Sequence, residues 1–139
     1  DGDDNYGWTP LYNAATNAHG EVVRALLAAG AAVNEPTKRG RTVLHCTVSC
    51  GHAAVARELL AAGADIAVQD EGGWTPLHCA ALHGEDECIL ALLEAGADPG
   101  VTDNLGRDCV HYAGDKRTVK LIRDAVEARD APPDTKRKR

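Results

Sequence analysis

The chain has 139 residues, enough for one domain with its own apolar core, and its formal charge of −6 at pH 7 is unevenly spread. Lys136, Arg137, Lys138 and Arg139 close it with four cations, so the first 135 residues carry −10. An acidic body lacks the basic face that general nucleic-acid binding needs, and without a run of ~20 apolar residues no membrane-spanning helix is expected. Alanine and leucine abound while phenylalanine and methionine are absent, which suits closely approaching helices over an aromatic-centred core. The missing initiator methionine predicts a fragment or a processed product, and no secretory signal is visible. Cys46, Cys50, Cys79, Cys88 and Cys109 are odd in number, which fits a reduced, intracellular setting better than a disulfide framework.

Residues 1–4, "DGDD", read as an acidic leader. From there a 33-residue period governs the chain. Thr9-Pro10-Leu11 returns as Thr42-Val43-Leu44, Thr75-Pro76-Leu77 and Asp108-Cys109-Val110. Gly7, Gly40, Gly73 and Gly106 keep the same step, as do Gly30, Gly63 and Gly96. The period divides the chain into units at 5–37, 38–70, 71–103 and 104–131, followed by a basic tail at 132–139.

In the first unit a turn around Gly7 leads to Thr9, a predicted helix N-cap, and Pro10 suits the first helical position because no donor is needed there. A short helix follows with Ala14 and Ala15. A second helix carries an apolar stripe of Val22, Val23, Leu26 and Leu27, and Gly30 ends it as a residue able to turn left-handed. The second unit repeats this with Thr47 and Val48, then Val55, Ala56, Leu59 and Leu60. The third has Ala80 and Ala81, then Cys88, Ile89, Leu92 and Leu93. The consecutive acids Glu85, Asp86 and Glu87 favour the positive end of a helix dipole, which accounts for them without catalysis. The fourth unit is weaker: Asp108 replaces threonine as the cap, and "TVKLIRDAVEARD" is dense in charge, as befits a cap with a wetted outer face. Pro132 and Pro133 stop the last helix. The run "KRKR" has the character of a nuclear-import signal, with a solvated linker as the alternative.

One unit cannot bury its own stripe, whereas a stack can. The third unit, "TPLHCAALHGEDECILALLEAGADP", resembles the ankyrin repeat, and the resemblance covers residues 4–129 in four in-phase copies. It implies an all-α solenoid of four stacked helix-turn-helix units with projecting β-hairpin turns. Departures include Ala18 in place of the glycine between helices, Tyr12 and Asn13 where histidine and an apolar residue are usual, and Val43 in place of proline.

His45, His78 and His111 share one repeat position. Packed helices lie ~8–10 Å apart, too far for this ladder to converge on one zinc ion, whose ligands sit at ~2.0–2.3 Å. The resemblance implies instead that these histidines bond backbone and tie neighbouring units. Cys46 and Cys79 form a second ladder, too widely spaced for a disulfide. No nucleophile elbow, phosphate loop or paired-carboxylate site is present, so no catalytic residue, cofactor or metal is expected.

The resemblance further implies recognition of another protein or peptide by the turn tips and the exposed side of the first helices. Carried onto this sequence, the candidate partner-binding residues are Tyr6 and Trp8; Lys38, Arg39 and Arg41; Glu71 and Trp74; Leu82 and His83; and Leu105 and Arg107. Trp8, Arg41, Trp74 and Arg107 occupy one position, and both residue types are enriched at binding hot spots. The bland alternative is that the tryptophans cover a neighbouring hairpin. The expected function is a monomeric, non-enzymatic interaction scaffold that binds an acidic-apolar surface in the cytoplasm or nucleus, without nucleic acid or membrane. The alternative is a regulatory or targeting segment of a larger enzyme or channel. Asn34, closing "LLAAGAAVN", resembles ankyrin asparagines that are hydroxylated and is the one candidate modification site.

Overall fold

The structure, a computed structural model, describes residues 9–37 and 39–130. Tyr6, Trp8 and Lys38, the acidic leader and the basic tail lie outside the described residues. The described chain forms helices α1 (Pro10–Thr16), α2 (Gly20–Ala28), α3 (Val43–Ser49), α4 (Ala53–Ala61), α5 (Pro76–Leu82), α6 (Asp86–Glu94), α7 (Cys109–Tyr112) and α8 (Lys116–Asp130). Consecutive helices pack together in α1–α2, α3–α4 and α5–α6. The first helices α1, α3, α5 and α7 stack in one row, and α2, α4, α6 and α8 in a second. No strand forms among the described residues; the turns project between pairs without becoming strands.

Helices α1, α5 and α7 begin on a side-chain cap. The Thr9 and Thr75 hydroxyls accept from the backbone N–H of Tyr12 and His78, both at 3.3 Å, and Asp108 Oδ1 accepts from His111 N–H at 3.2 Å. Pro10 and Pro76 occupy first-turn positions. The second helices stop by one repeated device. In α2, the Gly30 N–H bonds the Leu27 carbonyl and the Ala31 N–H bonds the Leu26 carbonyl, both at 3.0 Å, and Gly30 has φ +93°. This double closure satisfies carbonyls that the helix end would leave orphaned. α8 has Arg129 where the other pairs have glycine, and it continues to Asp130.

The same closure ends α1, α3 and α5, and here the sequence departs from its own rule. Gly51 and Gly84 take φ +81° and +65°. Ala18 stands at their position and takes φ +61°, with its N–H on the Ala15 carbonyl at 3.2 Å. A left-handed alanine costs about 1–2 kcal/mol.

The core follows the period. Val23, Ala56, Ile89 and Ile122, at one repeat position, are all fully buried, as are Leu59 and Leu92. Leu60 is half-buried against this cluster. The small residues expected on the first helices, Ala14, Ala15, Thr47, Val48, Ala80 and Ala81, are buried, which lets the rows approach closely. One member of the expected stripe is displaced from it. Val22 is 49 % exposed, whereas Val55 and Cys88 at the same position are 4 % and 0 % exposed. What differs is the preceding helix pair: α4 and α6 have one, and among the described residues α2 has none.

Candidate functional site

The turns are built by one further repeat position. Thr37, Asp70 and Asp103 stand 33 residues apart. Their backbone N–H groups donate to the carbonyls of Arg41, Trp74 and Arg107 at 2.8, 2.9 and 2.9 Å. Their side chains then lock the loop from inside. Thr37 Oγ1 accepts from the N–H groups of Arg39 and Arg41, both at 3.3 Å. Asp70 Oδ1 accepts from Gly72 at 2.9 Å and Trp74 at 3.0 Å, and Asp103 Oδ1 from Leu105 and Arg107, both at 2.9 Å. Gly73, at φ +84°, could not be another residue: a Cβ there would meet the Asn104 backbone nitrogen at 2.6 Å.

Successive turns are also bonded to each other. The Glu71 N–H donates to the Arg39 carbonyl and the Asn104 N–H to the Gly72 carbonyl, both at 2.9 Å. The Asn104 side chain adds a bond to the Glu71 carbonyl at 2.7 Å. Adjacent tips therefore share one register. The cost of ordering them is met by folding, before any partner arrives.

Beneath the tips runs the histidine ladder. The Thr42 N–H donates to His45 Nδ1 at 3.0 Å, which makes that nitrogen an acceptor and places the proton on Nε2, 2.8 Å from the Trp74 carbonyl. His78 repeats this with Thr75 at 3.2 Å and the Arg107 carbonyl at 3.0 Å. Burial lowers the His45 pKa, outweighing the bond to Trp74 and the proximity of Asp70. In the first pair Tyr12 takes the histidine's place, donating its hydroxyl to the Arg41 carbonyl. His111 is exposed and packs edge-on against Tyr112, with ring centroids 5.2 Å apart.

The alternating Arg/Trp position is partly spent on the scaffold. Arg41 keeps 35 % of its side chain exposed, but its Nε lies 3.4 Å from Asp70 Oδ2 and its Nη2 donates to Cys79 Sγ at 3.0 Å. Half-buried Trp74 donates its indole N–H to Asp103 Oδ2 at 3.1 Å and packs on Tyr112 with centroids 4.6 Å apart. Tyr112 donates its hydroxyl to the same carboxylate oxygen. Burial alone would raise the Asp103 pKa, but the bonds from Tyr112, from the N–H groups of Arg107 and Leu105, and from Trp74 outweigh it and hold the carboxyl down at about 2. Asp103 and Tyr112 were not among the expected site residues. The signal was present as the D-x-x-G of "DEGG" and "DNLG" at the 33-residue step.

Arg39, Arg41, Glu71 and Trp74 come together around one open depression of about 260 Å³, floored by Asp70 and Gly72. Leu105, on the last tip, is 70 % exposed, and Arg107 beside it is exposed. Leu82, 46 % exposed, and His83 sit at the end of α5, outside that depression. Two wider depressions of about 500 and 520 Å³ flank α8. Their charges are mixed in sign, and Lys120 is already paired with Asp124 at 2.9 Å. Asn34 uses both ends of its amide on the next unit: Nδ2 donates to the Gly63 carbonyl at 3.2 Å, and Oδ1 accepts from the Asp65 N–H at 2.7 Å. Asp86 does more than face a helix dipole, since it accepts from Arg117 at 3.0 Å and Thr118 at 2.9 Å.

All five cysteines are free. Burial raises the pKa of Cys46 and Cys79, and pushes Cys88 up to about 11 and Cys109 to about 12. These four are therefore thiols at neutral pH rather than nucleophilic thiolates.

Paired helices in two stacked rows, with locked turns in register, define a repeat scaffold that presents side chains in a fixed array. Sequence comparison names the class: a family model described as ankyrin repeats (3 copies) matches residues 1–70, 29–103 and 58–130, and the chain belongs to the ankyrin repeat family. Such repeats are generally protein–protein interaction modules and typically non-catalytic. No curated protein matches the chain. Among the described residues, no helix is long and apolar enough to cross a membrane.

Proposed function

We propose that the turn face of this ankyrin-repeat chain binds an acidic-apolar segment of another protein. The observation that carries the reading is the exposure of Arg39, Arg107 and Leu105 on turns whose backbone is already locked by Thr37 and Asp103. Two guanidinium groups on an otherwise acidic body favour carboxylates, which they engage in paired hydrogen bonds. Leu105, Leu82 and the outer face of Trp74 supply apolar anchors, which carry most of the energy at such interfaces. Arg41 contributes mainly by holding the turn at Asp70, so the free cations of the described face are Arg39 and Arg107.

A displayed random-peptide library selected on the purified chain tests this reading. Enriched sequences should combine acids with aromatic or aliphatic residues. Arg39→Glu with Arg107→Glu should slow their association and reduce its salt dependence, because exposed charges act mainly on encounter. Trp74→Phe, which keeps a ring but gives up the indole bond to Asp103 and part of the apolar surface, should mainly speed dissociation. Enriched peptides that lack acids, or that bind the double variant with unaltered rates, would refute the reading.

A further inference from the structure

We infer that the open edge of the stack at the last turn, formed by Leu105, Arg107 and His111, docks an acidic turn from another protein in the register of one more repeat. Every inner turn is joined to the next by three kinds of connection, each at a fixed step. A tip carbonyl accepts a backbone N–H: Arg39 from Glu71, and Gly72 from Asn104. A side chain two residues further on reaches the acid of the next turn: Arg41 to Asp70, and Trp74 to Asp103. The ladder residue donates to the next turn's backbone: His45 to the Trp74 carbonyl, and His78 to the Arg107 carbonyl.

At the last turn the three corresponding groups have no such partner among the described residues. The Leu105 carbonyl stands where those of Arg39 and Gly72 accept, and no described residue donates to it. Arg107 stands where Arg41 meets Asp70, with no ion-pair partner among the described residues, and His111 stands where His45 and His78 donate. All three residues remain exposed with α8 in place. Within the sequence the residue 33 positions beyond Asp103 is Lys136, not an acid. The edge therefore calls for a partner segment that offers a backbone N–H and a carboxylate, the combination that Asp70 and Glu71 present to the second turn.

The edge and the turn face overlap without coinciding. The two share Leu105 and Arg107, whereas His111 belongs only to the edge, and Arg39, Leu82 and His83 only to the turn face. The probe is a capped synthetic peptide, VQDEGGWTPL, copied from residues 68–77 and titrated into the full ¹⁵N-labelled chain by NMR. We expect amide shifts at Leu105, Gly106, Arg107 and His111. Replacing the peptide's aspartate by asparagine, or making Arg107→Glu in the chain, should weaken binding by roughly two- to fivefold, the range for an exposed ion pair. The Arg107→Glu chain should keep its thermal midpoint, because that side chain holds nothing together. Shifts confined to Arg39, Glu71, Leu82 and His83 would overturn the edge proposal and leave the turn-face reading standing. No shift at millimolar peptide, or equal binding by the asparagine peptide, would also overturn it. Concentration-dependent shifts at the same edge without peptide would assign it to a second copy of the chain instead.

Discussion

Tyr12 donates its hydroxyl to the carbonyl of Arg41, 29 residues ahead, the same step that His45 makes to Trp74 and His78 makes to Arg107. A phenol and two imidazoles thus perform one task, because the task needs only a rigid donor that reaches out from the first turn of a buried helix. Removing the hydroxyl leaves a packed ring and an unserved carbonyl. Tyr12→Phe should lower stability by about 1–2 kcal/mol, read as a fall in the urea midpoint with unchanged slope. An unchanged midpoint would show that water serves Arg41 equally well.

His45 makes the fold sensitive to mild acid. Its burial disfavours the imidazolium, so its pKa lies below the ordinary 6.5. Bonding to the Trp74 carbonyl and the charge of Asp70 oppose this, while Arg41 reinforces it. In the unfolded chain the group takes up a proton near 6.5 and in the folded chain only at lower pH. Its contribution to stability is therefore complete above that value and is lost as pH falls through the lowered folded value. Urea unfolding between pH 8 and 5 should show a loss below about 6.5. His45→Gln should be less stable throughout but flatter over that window; an equal slope in the variant would assign the effect to another group.

Ala18 is the one non-glycine residue with positive φ among the described residues. Its counterparts are Gly51 and Gly84. Ala18→Gly removes the left-handed strain, offset in part by the extra freedom of glycine in the unfolded chain. A net gain of roughly 0.5–1 kcal/mol is expected, visible as a higher thermal midpoint. A lower midpoint would mean that the methyl group packs more usefully than its φ costs.

Asp103 holds Trp74 and Tyr112 on one carboxylate oxygen. With its pKa held near 2 against an ordinary 3.8, the ionised form is favoured by folding, so its contribution is present above 3.8 and is lost as pH falls toward 2. In a Trp8→Phe background, where Trp74 is the only tryptophan, Asp103→Ala should shift indole emission to the red and broaden it at neutral pH. Asp103→Asn, which retains an acceptor oxygen, should shift it less. Identical spectra for all three chains would show that packing alone fixes the ring.

The architecture is legible in the order of residues alone. A 33-residue period, threonine caps, turn glycines and the stripe of Val23, Ala56, Ile89 and Ile122 are local or periodic features, and stacking is the arrangement that buries such a stripe. That order also places the turn tips, because glycine punctuates them. How the tip residues divide their duties depends on the folded stack. Arg41 and Arg107 share one repeat position, yet Arg41 is tied to Asp70 and Cys79 while Arg107 is exposed. Trp74 is half-buried because Asp103 and Tyr112 of the next unit meet it there, and Val22 is exposed because no described pair lies on its outer side. Each of these outcomes depends on what the neighbouring unit contributes across the stack. The period sets where a side chain stands, whereas the neighbour's side chains set whether it is free to bind.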